Sequence, residues 1–306
     1  MGELHAIVAN IMANNLHAAK SDSILVLTDE STSLLAKKFR NALSANGWRA
    51  SYYEMEDRTK SGEEPPEEAS AEMLKHDIVF CLTKHSLTHT AARKNANLHG
   101  IGVITMPGIT EDMFVHGAIN ADYKRVEKET LAMTERLAQA EKLIIKTGKN
   151  QLAIPLHGRE GVPSTGVFKG KSASGNLPSG EAYIAPVEGE AEGQIEINGS
   201  IAGIGLLERP IVLTIKKGRL VEATGEDGKK LLSLLGNGDG RLLCELGIGT
   251  NHAARVTGNI LEDEKAYNTI HVAFGSNHTF GGSIKTNVHI DCVTIKPEMA
   301  WIFPGI

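Results

Sequence analysis

Near residue 150 the grammar of this sequence changes, and that change limits the folds open to it. Before it, short apolar runs alternate with stretches of helical spacing. Residues 23–28 (Ser23-Ile24-Leu25-Val26-Leu27-Thr28) form a continuous apolar run, the pattern of a strand covered on both faces. Leu34, Leu35, Phe39 and Leu43 follow at helical spacing, and Asn46-Gly47 ends that helix. Further strands are predicted over 49–55, 77–82 and 101–106, and a long helix over 124–143 that turns Val126, Leu131, Met133, Leu137 and Leu143 to a core. Strand–helix alternation of this kind argues for an open, mostly parallel sheet.

After residue 150 glycine becomes dense and short strands follow one another. They are predicted over 182–186, 193–197, 211–216, 219–224, 269–274 and 286–295, with Lys217-Gly218 as a hairpin turn. One helix, over 227–235, interrupts them and is closed by Gly236-Asn237-Gly238. The expected fold class is therefore α/β in two domains. Residues 1–150 form an open, mostly parallel, Rossmann-like domain, and residues 151–306 a β-rich domain.

The 306 residues are enough for two cores, and a net charge of −5 leaves no basic excess for nucleic acid or an anionic membrane. No apolar run approaches the ~18 residues of a spanning helix. The first residues lack a basic flank followed by an apolar core, so no secretory signal is expected. Cys81, Cys244 and Cys292 are far apart, odd in number and set in apolar runs. They read as buried thiols in a reducing cytoplasm rather than as a disulfide framework.

No G-x-G-x-x-G follows the first strand and no G-x-x-x-x-G-K-[ST] occurs, so neither a dinucleotide nor a triphosphate site is expected. The segment from Ser86 to Arg93 opens a helix after the third strand, where such sheets take ligands. Plain helix capping by Ser86 or Thr88 accounts for it equally well.

The chemistry concentrates in the second half. In Asn287-Val288-His289-Ile290-Asp291-Cys292 an H-x-D lies on a β-branched stretch. Residues two apart on a strand share a face, so one imidazole and one carboxylate aim at one point, as two ligands of a metal would. Glu245, in Leu243-Cys244-Glu245-Leu246-Gly247, and His271, in Ile270-His271-Val272, interrupt apolar strands. A buried carboxylate needs a neutralising partner, and a metal is one. Glu181 follows a Gly-Pro turn, and His278 lies in a loop, Ser276-Asn277-His278-Thr279. Taken singly, each has a plain reading as a salt bridge, a strand end or a hydrogen-bonded histidine.

Taken together, Glu181, Glu245, His271, His278, His289 and Asp291 offer a mixed donor set that suits Zn, Mn, Co or Fe(II). Three protein ligands suffice for one catalytic zinc. The larger number points to two metals about 3.5–4 Å apart, activating water to attack an amide. Glu262-Asp263-Glu264-Lys265 reads first as a solvated charge run, and second as support for the site or a grip on a substrate amino group. No G-x-S-x-G or H-E-x-x-H occurs, so neither a serine hydrolase nor a helix-borne zinc protease is expected.

These residues carry a resemblance. Gly175-Asn176-Leu177-Pro178-Ser179-Gly180-Glu181, Glu245-Leu246-Gly247, His271-Val272-Ala273-Phe274-Gly275 and His289-Ile290-Asp291 resemble, in order, segments of the metalloaminopeptidase family that includes aminopeptidase T. The resemblance implies a two-metal exopeptidase acting on small peptides as a homodimer. Glu181 would be the bridging carboxylate, and Glu245, His271, His289 and Asp291 the other ligands. Glu181 and Glu245 are also the expected catalytic carboxylates, Glu245 as a general base if it is not a ligand. His278 falls where that family has a tyrosine. The chain is shorter than a typical member, which keeps open a metal-binding protein without peptidase activity. The 2,5-dihydroxypyridine dioxygenases are similar in sequence too, and imply one non-haem Fe(II) on two histidines and a carboxylate.

Overall fold

The Ser23–Asp29 strand has six of its seven residues buried because it lies inside a sheet and is covered on both faces. The computed structural model describes residues 2–170 and 172–305, and its contacts divide into two units. The first comprises Met1–Glu127 with Gly166–Ser179. Its five strands are all parallel, in the order Arg49–Met55, Ser23–Asp29, Ile78–Leu82, Gly102–Thr105, Ser174–Asn176. The helices Ser33–Ala45 and Ala91–Leu98 fall between strands, as the alternating pattern requires.

The helix Ala91–Leu98 is capped by Thr90, which accepts from Arg93 N. The Glu64 carboxylate accepts from Ala91 N and Ala92 N at 2.6 and 3.1 Å. An internal carboxylate thus takes the positive helix terminus that an anionic ligand would need.

The second unit comprises Lys128–Thr165 and Gly180–Ile306. The chain is therefore not cut once near residue 150. It leaves the first unit at Glu127 and returns to it for Gly166–Ser179. The strand Ser174–Asn176 is built of Ser, Gly and Asn, which carry no β signal, so local pattern does not reveal that return. The long helix is Tyr123–Gln139, and Leu143 lies instead in the strand Lys142–Thr147, where Leu143, Ile145 and Thr147 are buried at period two.

The second unit holds two antiparallel sheets. The first has the order Arg219–Ala223, Ile211–Lys216, Glu192–Ile197, Asn150–Pro155, Lys142–Thr147, Glu298–Ile302. The second runs Gly205–Leu206, Ser200–Ile201, His289–Ile295, Thr269–Gly275, Leu243–Gly249, Glu181–Ile184, Gly161–Ser164. Lys217 and Gly218 both have positive φ, 47° and 68°, which gives the expected tight hairpin. Residues of both sheets share one core: Ile145, Ile154, Ile195 and Leu213 from the first, Ile184, Leu246, Ile270, Val272 and Cys292 from the second. All three cysteines are buried and unpaired. Among the described residues no helix is long and apolar enough to cross a membrane.

Candidate metal centre

Strand periodicity assembles the site. Leu246, Ile270, Val272, Ile290 and Cys292 face the core, so their neighbours Glu245, His271, His289 and Asp291 face the other way. Ala182 and Ile184 do the same for Glu181. The four strands concerned are consecutive in the sheet. Register then aligns the side chains. Ala273 pairs with Glu245 on one side and Asp291 on the other, while Gly247 pairs with His271.

His271 Nε2 lies 3.2 Å from Glu245 Oε1 and 3.6 Å from Glu181 Oε2. His289 Nε2 lies 3.4 Å from Glu245 Oε2 and 3.3 Å from Asp291 Oδ1. Donor atoms of Glu245, His271 and Asp291 come within 4.8 Å of one another, and so do those of Glu181, Glu264 and His271. Five of the six expected residues therefore meet.

His278 does not join them. It is exposed, and its ring pairs with Ser276 Oγ at 2.9 Å. Phe280 comes to the centre from the same loop, edge-on to His289 and to Tyr183.

The cluster has unmet bonding capacity of the kind a cation satisfies. Glu181 Oε2 and Asp291 Oδ1 are buried without a hydrogen-bond partner. His289 Nδ1 lies 2.9 Å from Ser276 O. A carbonyl only accepts, so Nδ1 carries a proton and Nε2 is the nitrogen turned to the cluster, the one that offers a lone pair once the imidazole is neutral, as in metal-bound histidines. Carboxylate and imidazole donors together suit Zn, Mn, Co or Fe(II). The residues present fit a divalent ion.

Without one, the charges compensate each other. Burial opposes a charge on His271, but its bond to Glu245 and the nearby Glu181 and Glu264 raise its pKa to about 9. Burial likewise opposes the His289 charge and is outweighed by its acidic neighbours, so that His289 also rises. Of these neighbours Asp291 matters most, because burial pushes the Cys244 thiol up and keeps it neutral. Burial works against ionised Asp291 too, yet His289 holds that carboxyl below its ordinary range.

The run Glu262 to Lys265 is not solvated. Glu262, Asp263 and Lys265 are buried. Arg255 pairs with Glu262, Ser200 and the backbone of Thr257 and Gly258 bind Asp263, and Lys265 Nζ lies 2.9 Å from Glu181 Oε1. Lys265 also bonds Glu264. Of the two readings open for this run, support of the site matches its placement. A further feature lay in plain view: Gly247 and Gly249 alternate with Glu245 on the ligand face, and glycine inside a strand marks a close approach.

Two solved structures share this fold. 2,5-Dihydroxypyridine dioxygenase from Pseudomonas putida KT2440 superposes with a TM-score of 0.75 at 17% identity, over 98% of this chain and 92% of that one. Wild-type AmpT from Thermus thermophilus gives a TM-score of 0.69, also at 17% identity, over 99% of this chain and 95% of that one. No curated protein matches. A family model described as thermophilic metalloprotease (M29) matches residues 112–289, more than half of the 306. That match runs through Glu181, Glu245, His271 and His289, and the chain belongs to the thermophilic metalloprotease family M29.

Proposed function

We propose that the chain is a metal-dependent peptidase of the aminopeptidase type, acting on small peptides or amides. One observation carries this reading: three carboxylates and two imidazoles converge on one sheet face, with two buried carboxylate oxygens lacking a hydrogen-bond partner. His271, His289 and Asp291 hold a divalent ion, Zn, Mn or Co. Such an ion, when bound, supplies Lewis-acid activation of a water molecule and of the scissile carbonyl. Glu245, within 3.4 Å of both imidazoles, takes the proton from the attacking water and returns it to the leaving amine. The His289 side chain is 32% exposed against 1% for His271, so substrate enters on the His289 side. Tyr183 and Phe280 form an apolar wall there.

Protein purified without chelator and loaded with Zn, Mn or Co is expected to cleave aminoacyl-p-nitroanilides. Glu245→Gln should keep the metal and lose about 10²–10⁴-fold in kcat. A fully loaded protein that is inert across the panel would overturn the peptidase reading and favour a metal-binding protein without peptidase activity. Homodimer assembly in a reducing cytoplasm belongs to the same proposal, and light scattering tests the dimer.

One observation favours a second reading. Asp291 groups with His271 in one ligand triplet and lies 3.3 Å from His289 Nε2, and two histidines with one carboxylate suit non-haem Fe(II). Anaerobic Fe(II) loading followed by oxygen uptake on 2,5-dihydroxypyridine would identify a ring-cleaving dioxygenase, and no uptake would discard it.

A further inference from the structure

Two triplets of ligand atoms share His271: Glu245, His271 and Asp291 on one side, Glu181, Glu264 and His271 on the other. A two-metal centre would use both, with the ions about 3.5–4 Å apart. The second triplet is already occupied by a cation from the chain itself. Lys265 Nζ lies 2.9 Å from Glu181 Oε1 and also bonds Glu264, and the residue is fully shielded from solvent. Its ammonium supplies the positive charge these two carboxylates need.

Lys265 cannot readily swing away. Its backbone N–H donates to Glu262 O at 3.0 Å, and its carbonyl accepts from Asn251 N at 2.9 Å. The preceding turn is tied down through Asp263 to Ser200, Thr257 and Gly258, and through Glu262 to Arg255. A divalent ion on Glu181 and Glu264 would have to share that space with a buried ammonium, and like charges at such range in a poorly solvated pocket repel strongly. Histidine adds a second limit. His271 directs only Nε2 at the carboxylates, and one lone pair binds one ion.

We propose that the centre takes one divalent ion per chain, and that Lys265 Nζ, lodged between Glu181 and Glu264, occupies the place of a second. This departs from the two-metal expectation drawn from the number of ligands. It rests on the reading of the cluster as a metal centre, and the experiment separates the two.

Metal-free protein is reloaded with Mn(II), and bound metal is measured by elemental analysis and native mass spectrometry. Wild type is expected to hold one equivalent and to give the electron paramagnetic resonance spectrum of an isolated ion. Lys265→Met, which removes the charge and keeps the bulk, is expected to hold two. Glu264→Gln leaves the lysine in place and is expected to stay at one. Two equivalents in wild type, or an exchange-coupled spectrum, overturns the proposal while the metal-centre reading stands. No bound metal in wild type overturns both. A folded Lys265→Met that still holds one overturns the role of Lys265. Should that variant not fold, the wild-type spectrum and the Glu264→Gln stoichiometry decide, because in a two-metal centre Glu264→Gln would lose an ion.

Discussion

Gly247 pairs with His271 across the sheet, and a methyl group on Gly247 would lie 2.1 Å from the Cε1 and Nε2 atoms of that ring. The imidazole rests on the bare backbone of the neighbouring strand, and only there can Nε2 reach both Glu245 and Glu181. Gly247→Ala is therefore expected to push the ring off its carboxylates. Overpacking of this kind costs about 1–3 kcal/mol, and misplacing a ligand weakens metal binding by about 10–100-fold. Thermal unfolding and metal titration measure the two effects separately. Unchanged metal affinity in Gly247→Ala would show that the His271 position does not matter to the site.

His289 and His278 were equal candidates by residue type, yet their placement predicts opposite behaviour. His289 faces Glu245 and Asp291, while His278 is exposed on Ser276. His289→Ala is expected to lose stoichiometric metal, and His278→Ala to keep it with activity within about twofold, as for surface substitutions away from special features. Metal loss in both variants would mean that the loop closes over the ion.

The contrast shows what is legible locally and what is not. His289 and Asp291 share a face through strand period alone, which two residues suffice to reveal. Glu245 and His271 stand out as polar groups inside apolar runs. The parallel sheet was legible for the same reason, since its central strands are continuous apolar runs. The pairing of Lys265 with Glu181 depends on distant chain segments meeting, and no local pattern encodes it. A run such as Glu262 to Lys265 looks solvated because burying four charges is costly. It is buried because Glu262, Asp263 and Lys265 find partners elsewhere in the chain and Glu264 bonds Lys265. The helix predicted through Leu143 ends at Gln139 because a strand-period pattern takes over within four residues, too short a span to distinguish the two periods.

The raised histidines predict how metal binding responds to pH. A metal needs both imidazoles neutral, whereas in the metal-free protein His271 holds its proton up to about 9 and His289 is raised as well. Binding near neutral pH should release about two protons per ion, and affinity should fall as pH falls. Titration calorimetry in buffers of different ionisation enthalpy counts the protons. The stability of the metal-free protein should move the opposite way. A histidine raised on folding contributes fully below its ordinary value of 6.5, and that contribution is lost as pH rises through about 9. The Tm of metal-free protein is thus expected to drop from pH 6.5 to 9, and that of loaded protein to drop less. An affinity for metal that is flat over this range would exclude the imidazoles as ligands.

Asn277 and Glu188 set the loop that orients His289. Asn277 is fully buried; its side chain donates to Glu188 Oε1 at 3.1 Å and to Cys244 O at 3.3 Å, and accepts from Ile284 N at 2.8 Å. Glu188 also accepts from the Ser283 backbone and hydroxyl and pairs with Arg159. Its partial burial opposes ionisation, and these bonds hold its carboxyl below the ordinary range nonetheless. The same loop supplies Ser276 O, the acceptor that fixes the His289 ring. Asn277→Ala strands the Ile284 N–H, a loss of about 1–3 kcal/mol for a buried group left unpaired, while Glu188 keeps its bonds from Ser283. With the ties to Ile284 N and Cys244 O gone, Ser276 is free to move, so His289 loses the partner that orients it, and metal affinity is expected to fall by about 10-fold or more. Asn277→Asp separates the two effects. It keeps an acceptor for Ile284 N but places a carboxylate against Glu188, so stability should fall further at neutral pH and recover as acid protonates the pair. If Asn277→Ala destabilises the protein while metal affinity stays at the wild-type value, the loop supports the fold alone and His289 is oriented by the sheet.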